Sequence, residues 1–90
     1  MTANEQLGMR IAFLRKQKGW SQLDLSIESG VNRNYICDLE KGRRNPTLEI
    51  LEKIAISLNI TLSELFKGIE SIPGIWLFFN IFLRRKHFQK

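Results

Sequence analysis

Ninety residues make one small domain with room for a short appendage, far below the roughly 200 residues that a barrel-type catalytic scaffold needs. The composition is that of a globular chain, 43% hydrophobic and 26% charged, and the formal charge of +5 points to an anionic partner, either nucleic acid or an acidic membrane face. One cysteine and one histidine cannot supply an internal disulfide or a four-ligand zinc site, so no metal or other cofactor is expected and the core must hold by burial alone.

No run reaches the ~20 consecutive apolar residues of a spanning helix. Met1 to Gln6 has neither the basic nor the apolar region of a secretory signal. A reduced, cytoplasmic protein is the expectation. Leu7, Ile11 and Leu14 stand at i, i+4 and i+7 and predict a first helix over about 4–18, with Gly19 as its stop. Ser21 and Asp24 form a capping-box pair that opens a second, short helix carrying Leu25 inward, and Gly30 ends it. Asn32 is an N-cap for a third helix from Arg33 to about Lys41, with Ile36 and Leu39 inward and Gly42 beyond it.

Arg43-Arg44-Asn45-Pro46 cannot continue a helix comfortably and reads as a basic loop. Thr47 caps a fourth helix with Leu48, Leu51, Ile54, Ala55 and Leu58 on its inner stripe. Thr61 and Glu64 box the start of a fifth, reaching about Phe66. No stretch before residue 70 alternates like a strand. Five helices are predicted.

Charge divides the chain unevenly. Residues 1–71 hold ten basic side chains against nine acidic ones, whereas residues 72–90 hold Arg84, Arg85, Lys86 and Lys90 with no acid. Ser71-Ile72-Pro73-Gly74 breaks the chain, and Ile75 to Leu83 is apolar apart from Asn80. Two regions follow: a helical domain over 1–70 and an apolar and basic tail over 71–90. A nine-residue helix would span only ~14 Å, about half a bilayer's hydrocarbon core. Packing against the domain or across a dimer interface is therefore the favoured fate of the tail. Shallow membrane insertion with Arg84-Arg85-Lys86 on anionic headgroups is the rival, and a poorly ordered terminus without a role is the third reading.

Two short helices joined by a glycine turn, the second with a polar face, describe a helix-turn-helix. The segment from Ser21 to Gly42 resembles the Cro/phage-repressor (XRE) family, whose pattern is roughly S-Q-x-x-L-A-x-x-x-G-V-S-x-x-x-I-S-x-x-E-x-G with a proline following. Gln22, Leu25, Gly30, Val31, Ile36, Glu40, Gly42 and Pro46 meet it in register, and the likeness covers about residues 5–68. Ser26 stands where the family usually has alanine, so its hydroxyl needs a partner if buried. Asn32 and Cys37 stand where serine is usual, the first still an N-cap and the second of similar volume. The resemblance implies an all-α, five-helix, lambda-repressor-like domain with a short apolar C-terminal extension. It also implies a dimeric, sequence-specific regulator of transcription, not an enzyme, with double-stranded DNA as its partner.

Such a domain must present one face of its third helix to base edges in the major groove. Arg33, Asn34, Cys37 and Asp38 lie at i, i+1, i+4 and i+5, opposite Ile36 and Leu39. Arginine suits guanine, asparagine suits adenine, and an aspartate can accept from cytosine N4 or repel the wrong approach. Ser21, Gln22, Asn32, Tyr35, Lys41, Arg43 and Arg44 form the expected phosphate-contacting set, the first three at helix N-termini where backbone N–H groups already favour an anion. Tyr35 divides between a phosphate-contacting hydroxyl and a packing residue. By the resemblance, Gln22 also braces the third helix, and Arg15 and Glu40 form a structural ion pair. Cys37 reads as a small helix residue, with a thiol switch as the minor alternative, and His87 as a solvated side chain. The competing function is a helical interaction or peripheral membrane module acting through the tail. Phage repressor, antitoxin and restriction-modification controller are subtypes that these residues do not separate.

Overall fold

A computed structural model describes residues 1–69; the expectations for residues 70–90, including the apolar run, the basic end and His87, fall outside the described residues. Among the described residues five helices follow in chain order: α1 (Ala3–Gln17), α2 (Gln22–Ser29), α3 (Arg33–Glu40), α4 (Leu48–Ser57) and α5 (Leu62–Leu65). No strand occurs among the described residues.

Side-chain caps start every helix. Ser21 and Thr61 close the capping boxes predicted for α2 and α5, Asn32 accepts from the backbone N–H groups of Asn34 and Tyr35, and Thr47 accepts from that of Ile50. The start of α1 is capped too, which the spacing of its apolar residues does not indicate. Thr2 and Glu5 form a further box, and the N–H and hydroxyl of Thr2 hold the Glu5 carboxyl below its ordinary range.

The inward stripes of these helices meet in one core of Leu7, Ile11, Leu25, Val31, Ile36, Leu39, Leu51, Ile54, Ala55, Leu58 and Leu65. Two members of the predicted stripes behave differently. Leu14 is half-buried at the edge of the core, and Leu48 is 60% exposed. Leu48 is the first residue of α4, one turn outside the packed stripe that begins at Leu51. Ile69, just past α5, packs against the core from outside.

The turn between α2 and α3 is tied on both sides. Gly30 takes φ 74°, a left-handed conformation that a side chain would strain. The Ser26 hydroxyl donates to the Val31 carbonyl at 2.6 Å, and the Val31 N–H donates to Ser29 Oγ at 3.2 Å. Ser26 thus gains the partner that its departure from the family's alanine required.

At Gly8, α1 comes close to the backbone of α3. A Cβ there would run into the backbone carbonyls of Leu39 and Glu40, the latter at 2.6 Å. The last turn of α3 therefore lies directly on the α1 backbone.

Candidate nucleic-acid interface

The last residue of α3 organises the site. The Glu40 carboxylate accepts from Arg15 Nε at 2.7 Å and Arg15 Nη2 at 2.9 Å, a bidentate pair, and from Gln22 Nε2 at 3.0 Å. Arg15 Nη1 also donates to the Trp20 carbonyl at 2.7 Å. The carboxylate thereby fastens α1 and α2 to the end of α3, and Arg15 extends the tie to the linker between them. The Arg15 and Glu40 side chains are only 9% and 7% exposed, so the pair is shielded from solvent and salt. Pairing with Glu40 raises the already high pKa of Arg15 further.

Gln22 uses one N–H of its amide on Glu40. The amide orientation is fixed chemically, because a carboxylate can only accept. Among the described residues the second N–H has no partner at the first turn of α2, so bracing and phosphate contact are compatible roles for the same side chain.

With its inner face held, α3 turns its other face outward. Arg33 and Asn34 are exposed, Cys37 is half-buried and its thiol is free, and Ile36 and Leu39 are buried on the opposite side. The Arg33 side chain has no hydrogen bond or ion pair among the described residues. The predicted reading set therefore shares one face. Asn32 uses its Oδ1 on the cap, and the Ser21 hydroxyl oxygen accepts from the Asp24 N–H.

The basic loop after α3 is not uniform. Lys41 and Arg43 are exposed, with no side-chain hydrogen bond or ion pair among the described residues. Arg44 differs: its guanidinium carbon lies 4.9 Å from the centroid of the Tyr35 ring, and its Nη2 lies 3.4 Å from Asp38 Oδ2. Tyr35 is half-buried and packs against the core, with one face of its ring beneath Arg44. Asp38, expected to face a base, carries Arg44 on its carboxylate. Sequence spacing gave no sign of this trio, because it depends on the path of a loop after the helix has ended. Asn4 adds a further tie to that loop, donating to Asn45 Oδ1 at 2.9 Å.

Among the described residues no group of three or more His, Cys, Asp or Glu side chains is placed to hold a metal ion, and no helix is long and apolar enough to cross a membrane. The arrangement presents donors on one helix face beside cationic side chains, a surface suited to a polyanion with readable edges.

Comparison with known proteins agrees with that surface. The helix-turn-helix family profile matches residues 11–65. The chain is 39% identical over 61 residues to the HTH-type transcriptional regulator SlrR of Bacillus subtilis, a match covering 67% of this chain and 40% of that protein. It is 42% identical over 66 residues to the control protein C.MunI of a Mycoplasma species, covering 72% of this chain and 89% of that one. Among solved structures, the restriction-modification controller protein C.AhdI of Aeromonas hydrophila superposes with a TM-score of 0.66. It has 39% identity and covers 68% of this chain and 92% of that chain.

Proposed function

The chain belongs to the helix-turn-helix family, and from that premise we propose that it is a sequence-specific regulator of transcription that binds double-stranded DNA as a homodimer. In this reading each copy lays α3 in the major groove of one half of a palindromic site. Arg33 and Asn34 meet base edges, with Cys37 beside them on the same face. Ser21, Gln22 and Asn32 at the starts of α2 and α3, together with Tyr35, Lys41, Arg43 and Arg44, make the phosphate contacts that set register. The role is binding rather than catalysis, and a DNA-bound regulator places the protein in the cytoplasm.

The observation that carries this reading is the outward face of α3, held in place from behind by the Arg15–Glu40–Gln22 junction. Two-fold pairing is supported by the geometry of the task. One short helix reads few base pairs, and two copies about 34 Å apart meet successive turns of the same groove. Met9, Phe13 and Phe66 are exposed apolar side chains, on α1 and just after α5, that a second copy would cover.

Enrichment of the full chain's preferred duplexes from a random-sequence pool tests the proposal. A two-fold-symmetric site is expected, with half-site centres about 10 base pairs apart and binding that weakens steeply with salt. A pool that stays unenriched would overturn it.

A further inference from the structure

We propose that Asp38 is a positioning residue that, with the ring of Tyr35, holds the Arg44 guanidinium for a DNA phosphate, and that it does not read a base. The inference rests on the reading of α3 and its following loop as the DNA-facing surface.

Arg44 lies past the end of α3, in a stretch with no regular structure. A long side chain on such a stretch samples many rotamers, and ordering it for one contact costs entropy. Two residues one turn apart on α3 remove much of that freedom. Tyr35 offers a ring face, with the guanidinium carbon 4.9 Å from its centroid, and Asp38 offers a carboxylate oxygen at 3.4 Å. Tyr35 packs against the core, so the platform itself is fixed. An exposed ion pair alone holds its partners weakly, but ring and carboxylate together define both the plane and the direction of the fork. Only one of the guanidinium's five N–H donors is used among the described residues, which leaves the others for an anion.

Charge argues the same way. A lone carboxylate on a surface that meets DNA would repel the phosphates. Placed against Arg44, its charge is compensated, and the pair costs less to bring to the duplex. Asp38 and Arg44 are exposed enough for replacement without disturbing the core, their side chains being 37% and 48% accessible.

The roles differ in the sign of the effect on binding and in its dependence on sequence. Duplex binding is read for the full chain and its Asp38→Ala, Arg44→Ala and double variants, on the site enriched by the wild type and on a scrambled duplex. As a positioning residue, Asp38→Ala weakens binding on both duplexes alike, by roughly three- to tenfold. That loss disappears when Arg44 is already alanine. Asp38→Asn keeps an acceptor for the guanidinium and restores part of the affinity. In the free protein, the Arg44 side-chain proton resonances carry the ring-current shift of Tyr35, which Asp38→Ala reduces. Tighter binding by Asp38→Ala would make the residue a mere repulsive charge and overturn the proposal. So would a change of preference at one base position, or losses that add fully in the double variant. Failure of the wild type to bind any duplex would instead remove the underlying DNA-binding reading, a result distinguishable from all of these.

Discussion

Glu40 accepts three hydrogen bonds from two other helices, and its replacement separates packing from charge. Removing it strands Arg15 in a site where that side chain is 9% exposed. Breaking one partner of a buried pair costs about 3–5 kcal/mol, so Glu40→Ala should lose about 3 kcal/mol in urea unfolding. A loss under about 1 kcal/mol would rank the junction with ordinary surface pairs. Arg43 tests the opposite kind of residue. It has no partner among the described residues, so Arg43→Ala should leave unfolding unchanged and reduce the salt slope of DNA binding by ~1 on every sequence. An unchanged slope would place Arg43 away from the phosphates.

At the scale of elements, the approach of α1 to α3 sets local propensity against packing. Gly8 lies inside α1, where alanine should be better by about 1 kcal/mol. The carbonyls of Leu39 and Glu40 occupy the space that a methyl group needs. Overpacking costs about 1–3 kcal/mol, so Gly8→Ala should lower the unfolding midpoint. A raised midpoint would show that the two helices can part freely. Helix order, the caps at Ser21, Asn32, Thr47 and Thr61, and the stops at Gly19, Gly30 and Gly42 are local signals, each written within a few residues, and all are present in the fold. The Arg15–Glu40 pair spans 25 positions, and only family resemblance suggested it. Gly8, the exposure of Leu48 and the Tyr35–Arg44–Asp38 trio depend on how helices and loops meet, which periodicity does not encode.

At the scale of the whole molecule, residues 1–69 already close a core around Ile11, Leu25, Ile36, Ile54 and Leu65, each fully buried. The proposed domain boundary near residue 70 keeps Ile69, which packs on that core. A chain ending after Glu70 should therefore unfold cooperatively, with the helical signal intact; loss of cooperativity would make the tail part of the core. Sedimentation of both lengths, with and without anionic vesicles, assigns the apolar run. A weaker dimer in the short form supports its place in the interface, whereas vesicle binding by the long form alone supports a membrane role. The proposed DNA binding depends on the outward face of α3. The most direct test is equilibrium binding of wild type and Arg33→Ala to the enriched site and its single-base variants. Arg33→Ala should lose roughly 1–3 kcal/mol on the preferred site and discrimination at one base position per half-site. An equal loss on every sequence, or none at all, would contradict the assignment of α3 as the reading helix.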